Sequence, residues 1–426
     1  EEVVTRMFLP RNKSSSISSS NSEEMKSYAS GLMWAFLDYS NLWRAGLSWS
    51  IFFLLNVGVP LVSHLVFSCS GCDPNHQRPY DAIVQIFLSS FASVSFISLS
   101  SFGHRYGLRK FLFLDKLSHE SETVRDGYSQ QIQRSLKLLS AFVLPCSLAE
   151  AAYKIWWFSS VGDGGIPYFY SRLLTKLVVC LLLISSWVYR IAIGYLVCIL
   201  FRLTCHLQLL RLNEFTDLFQ KQSDVTAILA EHLRIRRNLR VISHRFRLFI
   251  LSTLVLVSVS QFVFLLVTTE PKSQVSISTA GELALCSVTL VTGLFICLRS
   301  AAKITHKALS VASFAAKWHA CATINTFDEE DDDGDETTTT TAAITSARLR
   351  FSAPSDEDED NMFVPASVSW NSESYQKRQA LVKYLEHNRA GITVYGFMLD
   401  RSWLHTIFVI QLSFTLWILN KTIGIS

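Results

Sequence analysis

Charged residues are scarce in this sequence and almost absent from long parts of it. Asp, Glu, Lys and Arg make up 17% of the 426 residues, whereas soluble domains usually carry about 25%. Seven apolar stretches of 18 to 24 residues contain only four charged side chains between them. This distribution excludes a water-soluble enzyme, a disordered chain and a disulfide-rich scaffold. The stretches are 47–67, 82–102, 138–159, 177–200, 248–268, 281–298 and 402–420.

Each of these stretches is long enough to cross ~30 Å of hydrocarbon as an α-helix. Helix is the required conformation there, because the backbone of a single span finds no other hydrogen-bond partners in lipid. The sequence therefore predicts an all-α polytopic membrane protein with seven transmembrane helices. The four charged exceptions are Glu150, Lys154, Arg190 and Glu282.

Basic residues alternate between the segments that connect these stretches. The N-terminal segment and every second loop contain 32 Lys and Arg residues, whereas the alternate loops and the C-terminal tail contain five. Because cytoplasmic segments retain basic residues, the N-terminus is predicted to be cytosolic and the C-terminus extracellular. A G-protein-coupled receptor has the opposite orientation and is excluded. The basic residues are explained by topology, so no nucleic-acid partner is expected.

Composition divides the chain into four predicted segments. Residues 1–29 are predicted to be a disordered cytosolic tail, and 30–321 to hold an interfacial helix, the first six spans and their cytosolic helical extensions. A low-complexity acidic insertion over 322–372 is predicted to be a solvated linker, because its like charges repel one another. Residues 373–426 are predicted to form a cytosolic anchor helix and the seventh span. The helical extensions are predicted at 201–220, 224–246 and 299–321.

The motifs of soluble catalysis are missing from the sequence. It contains no nucleophile elbow, no P-loop and no HExxH zinc motif, and the glycines at 162–165 precede no phosphate-binding helix. The protein is therefore not expected to be an enzyme or to hold a cofactor or a metal.

Two cysteines, Cys69 and Cys72, follow the first span on its predicted outer side. The oxidising compartment favours a local disulfide between them that stiffens the loop. A metal site with Asp73 and His76 has suitable ligand types but too few of them. A thioredoxin-like role is disfavoured, because no βαβ pattern surrounds the two cysteines.

Two ionisable residues lie at similar depth in the third and fourth spans. At 1.5 Å per residue, Glu150 lies roughly 18 Å and Arg190 roughly 15 Å from the inner face. A bare charge there would cost at least ~2.5–3.5 kcal/mol, so each side chain is expected to face protein or water. The matched depth predicts an ion pair, which serves either as a structural link or as part of a ligand or ion pathway.

The last span carries a stripe that mixes apolar and uncharged polar side chains at helical spacing. Such a stripe is typical of a narrow pore seam, and it also suits ordinary packing, the commoner case, against the fifth and sixth spans of the same subunit. Four of its members are the candidate pore and gate residues. These are Phe408, Gln411, Leu412 and Thr415.

At this point the chain resembles a known family. In the last span, Leu404-His405, the five residues 406–410 and Gln411-Leu412 stand where the insect gustatory and odorant receptors have Thr-Tyr, five apolar residues and Gln-Phe. Seven spans, a cytosolic N-terminus and a short outer tail match as well. The stretches at 102–117 and 391–405 resemble the plant gustatory-receptor-like branch most closely.

The resemblance implies a homotetrameric, ligand-gated, non-selective cation channel. In that family the seventh helix lines the pore, cytosolic extensions of helices four to seven form an anchor, and the ligand pocket lies in the outer half of each bundle. The implied partners are the lipid bilayer, further copies of the chain, a small-molecule ligand and monovalent cations, and the plasma membrane is the expected location. Five aromatic residues could wall the pocket or serve as interfacial anchors. These are Tyr153, Trp156, Trp157, Tyr168 and Tyr170.

Two other function classes fit the same sequence features. A non-conducting scaffold or signalling adaptor would act through the cytosolic insertion, and a transporter would carry small organic solutes. Ion flux in proteoliposomes separates a channel from a scaffold, whereas slow and saturable solute flux indicates a transporter.

Overall fold

The protein was analysed as a computed structural model that describes seven parts of the chain. Helices dominate these parts, which confirms the all-α prediction. The residues described are 42–67, 80–111, 122–160, 172–221, 224–269, 277–330 and 372–423.

Nine α-helices, one π-helix and one small β-hairpin form the described part of the chain. In chain order the elements are α1 (Leu42–Phe53), a π-helix (Leu54–Gly58), α2 (Val59–Phe67), α3 (Asp81–Phe111), α4 (Glu122–Ser160), α5 (Arg172–Lys221), α6 (Val225–Thr269), α7 (Ile277–Glu330), α8 (Ser372–His387), β1 (Thr393–Val394), β2 (Phe397–Met398) and α9 (Arg401–Ile423).

Six helical segments of the described residues are long and apolar enough to cross a membrane. The protein is therefore an all-α polytopic membrane protein. The helix α9 coincides with the predicted seventh span but is not one of the six, so a seventh crossing stays a prediction. The six segments are Ala45–Leu65, Asp81–Ser101, Gln130–Ser159, Leu174–Thr216, Val225–Leu266 and Gly281–Ala320.

Three helices continue far beyond their apolar stretches. The helix α5 has 50 residues, α6 has 45 and α7 has 54, so the helices predicted after the fourth span, before the fifth and after the sixth are continuations of those spans. Asp224 marks the start of α6, where its Oδ1 accepts a hydrogen bond of 2.9 Å from the backbone N–H of Thr226. This contact is a side-chain N-cap, which satisfies one of the free amides of the first turn.

The helices contribute to two compact units. The first comprises Glu1–Leu207, Ile242–Ala302 and Thr393–Ser426, and the second comprises Gln208–Val241 and Lys303–Ile392. In the first unit, α3 and α5 approach closely at Gly194, where an added Cβ would overlap the ring of Phe91. Glycine is therefore needed at this crossing.

The second unit has a core that combines aliphatic and polar side chains. Phe215 and Leu385 are buried in it, and the ring of His232 packs edge-on against Tyr384 with centroids 5.8 Å apart. Arg236 donates a hydrogen bond of 2.9 Å from Nη1 to Oδ1 of Asn388. These contacts attach α8 to the N-terminal part of α6, which the sequence predicts to be cytosolic.

A β-hairpin with two residues in each strand precedes α9, where the sequence predicted only helices. Thr393 pairs with Met398 and Val394 with Phe397. The loop residues Tyr395 and Gly396 have φ angles of 49° and 90°, and positive φ at both positions is the geometry of a type I′ turn. The guanidinium of Arg247 lies 5.1 Å from the centre of the Tyr395 ring, a cation–π contact that helps to hold this unusual tyrosine backbone.

A buried charge cluster as the candidate functional site

The four charged residues of the apolar stretches come together in the first unit. Glu150 and Lys154 lie on α4, Arg190 on α5 and Glu282 near the start of α7. Their exposed fractions are 2%, 2%, 2% and 9%. We call these four residues the charge cluster.

Lys154 is the centre of the charge cluster. Its Nζ lies 3.4 Å from Oε1 of Glu150, one turn earlier on the same helix. The same Nζ forms an ion pair with Oε1 of Glu282. One ammonium group is therefore shared between two carboxylates, and it joins α4 to α7.

Arg190 is bound to two serines beside this ion pair. Its Nε donates to the backbone carbonyl of Ser186, and its Nη1 donates to the hydroxyl of Ser89, both at 3.3 Å. Glu150 and Glu282 also act on the guanidinium electrostatically, as does Asp81 at the start of α3. The guanidinium thus belongs to the same electrostatic neighbourhood as Lys154.

This arrangement refines the predicted pair of Glu150 and Arg190. The structure brings the two residues into one cluster, but the direct contact described for Glu150 is to Lys154, and Arg190 is reached electrostatically. Matched depth did not identify Lys154 and Glu282 as partners. The i,i+4 spacing of Glu150 and Lys154 was the available signal, because residues four apart share a helix face.

Charges buried this completely are costly unless they compensate one another. Two carboxylates and two cationic groups sum to zero within the charge cluster, so its members neutralise one another as a set. Removing one partner of such a set leaves an uncompensated charge and typically costs 3–5 kcal/mol. Ionisable side chains inside a membrane span face the protein interior and are commonly functional. Chemically, the cluster can recognise a polar or charged molecule by exchanging ion-pair partners.

The predicted pocket aromatics divide into different environments. Tyr153 is half-buried, and its ring centre lies 5.9 Å from Nζ of Lys154, so it borders the charge cluster. Trp156 is 44% exposed, whereas Trp157 is buried in an apolar group with Phe158 on α4 and residues of α5. Tyr168 and Tyr170 lie outside the described residues.

Two of the four predicted pore residues contact other helices of their own chain, and a third is buried. Gln411 donates from Nε2 to the hydroxyl of Ser258 on α6 at 2.8 Å. The ring of Phe408 lies 4.5 Å from that of Phe295 on α7, and Thr415 is buried with its hydroxyl on the carbonyl of Gln411. Leu412 is exposed. These contacts match the packing interpretation of the stripe, with the fifth and sixth spans as neighbours.

The opposite face of α9 is not covered by the other residues that the structure describes. Its exposed residues recur at alternating steps of four and three, and we call them the exposed seam. Hydroxyl and amide side chains alternate in it with aliphatic ones. The exposed seam consists of Ser402, Thr406, Val409, Ser413, Leu416 and Asn420.

Two further predicted features lie wholly or largely outside the described residues. Cys69 and Cys72, the disulfide candidates, are one of them. The other is the predicted insertion 322–372, of which 322–330 belong to α7, residue 372 begins α8, and 331–371 lie outside the described residues. Among the residues that the structure describes, no group of His, Cys, Asp or Glu is arranged to hold a metal ion.

A protein-family model matches residues 23–410 and is described as "Protein of unknown function (DUF3537)". The chain belongs to this family. The match covers most of the DUF3537 chain, includes all four residues of the charge cluster, and ends within α9. No curated protein matches the sequence.

Proposed function

We propose that this DUF3537 chain forms a homotetrameric, ligand-gated, non-selective cation channel, related to the gustatory and odorant receptors that its sequence resembles. The N-terminus is cytosolic, the C-terminus is extracellular, and α9 is the seventh span. The plasma membrane is the proposed location.

The exposed seam of α9 is the observation that carries the channel proposal. Residues spaced alternately four and three apart lie on one face of a helix. That face can pack against the same face of identical neighbouring helices, as in coiled coils. Hydroxyls at Thr406 and Ser413 alternate with aliphatic side chains at Val409 and Leu416. Hydroxyl oxygens can replace part of the hydration shell of a cation. A ring of aliphatic side chains, one from each subunit, can close the pore by excluding water. The pore proposal therefore moves from the stripe of Gln411 to the exposed seam, with Leu412 at its border.

The charge cluster supports the ligand-gated part of the proposal. On the proposed topology, Lys154 and Glu282 lie in the outer half of the bundle, within reach of a molecule arriving from outside. A ligand that takes the place of the Glu282 carboxylate beside Lys154 would change the contact between α4 and α7. The proposed ligand class is a small polar or charged organic molecule.

Cysteine accessibility in proteoliposomes tests the pore. Val409→Cys should react with a hydrophilic, charged thiol reagent, and the reaction should block ion flux, because the pore is wet. Val259→Cys is the matched control, since Val259 is 48% exposed and Val409 is 57% exposed, and α6 is proposed to face lipid there. Six of the nine cysteines are buried, and replacing Cys69, Cys72 and Cys321 by serine in both variants keeps background reactivity low.

Three results would count against the channel. Equal, slow reaction of Val409→Cys and Val259→Cys would place both residues in lipid and refute the pore. Absence of ion flux in a correctly folded preparation would favour a non-conducting scaffold. Slow, saturable flux of an organic solute would favour a transporter.

A further inference from the structure

The first membrane-crossing segment contains a break in its helical register. Between α1 and α2, residues Leu54–Gly58 are π-helical, and the N–H of Val59 bonds to the carbonyl of Leu54, five residues earlier. A π-helical turn of this kind is uncommon and is often found at functional sites. Pro60 follows directly.

The position of Pro60 determines which backbone carbonyls near the break lack a regular N–H donor. Proline has no N–H, so it cannot donate to the carbonyl of Asn56 in α-helical register or to that of Leu55 in π-helical register. Val59, the other natural donor for Leu55, is already used by Leu54. The carbonyls of Leu55 and Asn56 are therefore each deprived of a regular backbone donor by Pro60.

Two serine hydroxyls from neighbouring helices fill this need. Ser186 on α5 donates to the carbonyl of Leu55 at 2.6 Å, and Ser89 on α3 donates to the carbonyl of Asn56 at 2.9 Å. Inside a membrane, such partners are what allow a helix to depart from its regular hydrogen bonding. The side chain of Asn56 adds a third link, because its Nδ2 donates to Ser93 at 2.9 Å.

Arg190 contacts both serines that hold the break. Its Nη1 donates to the hydroxyl of Ser89 and its Nε to the carbonyl of Ser186, while Glu150 and Glu282 act on the same guanidinium electrostatically. A change of charge among the carboxylates therefore acts on the guanidinium that binds the hydroxyl of Ser89 and the backbone carbonyl of Ser186. This chain of contacts runs from the charge cluster to the first span.

We propose that the break between α1 and α2 is a hinge, held by Ser89 and Ser186, and that Arg190 is the positioning residue that couples it to the charge cluster. The coupling rests on the proposed function, in which the cluster recognises the ligand. In the absence of the serine contacts, the two freed carbonyls lose their donors and the segment opens. Ligand binding is thus converted into movement of the first span.

A cycle of substitutions tests the hinge without any ligand or ion flux. Ser89→Ala should raise hydrogen exchange of the amides in 54–67 by about tenfold, because a buried carbonyl loses its donor. Pro60→Ala restores an N–H that can bond to the carbonyl of Asn56. In that background, Ser89→Ala should change the exchange less than about twofold. Ser95→Ala is the control, since that buried hydroxyl bonds to the carbonyl of Phe91 on its own helix.

The two halves of the proposal fail in different ways. An equal rise of exchange in both backgrounds, or no rise with Pro60 present, would overturn the hinge. For the coupling, Glu282→Gln should change exchange in 54–67 at least threefold in the native background. Because lysine cannot reach both serines, the change should vanish with Arg190→Lys. The same change in both backgrounds would overturn the role of Arg190, whereas loss of ion flux alone would refute only the channel.

Discussion

Lys154 on α4 forms a buried ion pair with Glu282 on α7, across 128 residues of sequence. The same ammonium group lies 3.4 Å from Glu150. One ammonium group therefore pairs with a carboxylate on each of two membrane helices and joins the helices. Because water is excluded, the stability of the bundle depends on every member of this group being present.

Removing the central cation should destabilise the protein more than any other single change in the cluster. We expect Lys154→Met to lower the free energy of unfolding by about 3–5 kcal/mol, because two buried carboxylates lose their shared partner. Lys137→Met, on the exposed surface of the same helix, is the control and should have little effect. Thermal unfolding in detergent followed by tryptophan fluorescence measures the difference. Equal effects would mean that Lys154 is solvated.

Removing both partners of the ion pair should be milder than removing the cation alone. The double variant Lys154→Met and Glu282→Gln leaves one carboxylate, Glu150, and one guanidinium, Arg190, so the charge cluster still sums to zero, and replacing a buried ion pair by neutral side chains is often nearly neutral in stability. We expect it to unfold closer to the native protein than Lys154→Met does. A double variant less stable than the single one would contradict the assigned ion pair.

Charge exchange should identify the true partners in the cluster. Lys154→Glu combined with Glu282→Lys should recover folded protein that either single reversal loses, because the opposite charges remain in contact. Exchanging Glu150 and Arg190, the pair predicted from depth, should recover less, since Arg190 also bonds to two serines. The yield of monodisperse protein after detergent extraction reports both exchanges. Better recovery from the Glu150 and Arg190 exchange would restore the original pairing.

The two faces of α9 should respond differently to truncation. Phe408→Ala should lower stability by roughly 2–3 kcal/mol, somewhat below the value for a fully buried Phe, because it leaves a cavity against Phe295. Val409→Ala on the exposed seam should leave the stability of the isolated subunit nearly unchanged. Thermal unfolding and unliganded ion flux are measured together on both variants. A leak from Phe408→Ala without loss of stability would return the pore to the originally predicted stripe.

The start of α6 should depend on pH through Asp224. Hydrogen bonds from the side chain and backbone of Thr226 lower the pKa of Asp224 below its ordinary value of 3.8. Because the folded pKa is the lower one, the stabilisation is present above the ordinary value and is lost as pH falls through the folded one. Amide exchange in 225–228 should therefore show extra opening at low pH. Asp224→Asn keeps a capping oxygen and should abolish this pH dependence, and its persistence would exclude Asp224 as the cause.

The secondary structure was largely predictable because it follows local composition. Long uncharged stretches require helices in lipid, and the helices α5, α6 and α7 continue where the sequence predicted cytosolic extensions. The β-hairpin at Tyr395 and Gly396 was not predicted. Its positive φ angles involve a tyrosine, a residue that does not ordinarily indicate such a turn, and its neighbour Arg247 is distant in sequence.

The candidate site was predictable in part. Counting residues gives depth along each helix axis, which placed Glu150 and Arg190 in the same layer. Counting cannot give the rotation of one helix relative to another, and that rotation directs Lys154 towards Glu282. The same limit applies to α9, where the periodic stripe of Phe408 and Gln411 was visible but its neighbours were not.

The sequence by itself determined the helical membrane class and the approximate spans, since both depend on local composition. The tertiary structure alone decided which side chains meet. Ser89 and Ser186 can donate to the carbonyls that Pro60 leaves open only because α3 and α5 pack beside the break. Helix packing brings together groups that are far apart in the chain, and a linear pattern contains no measure of that distance.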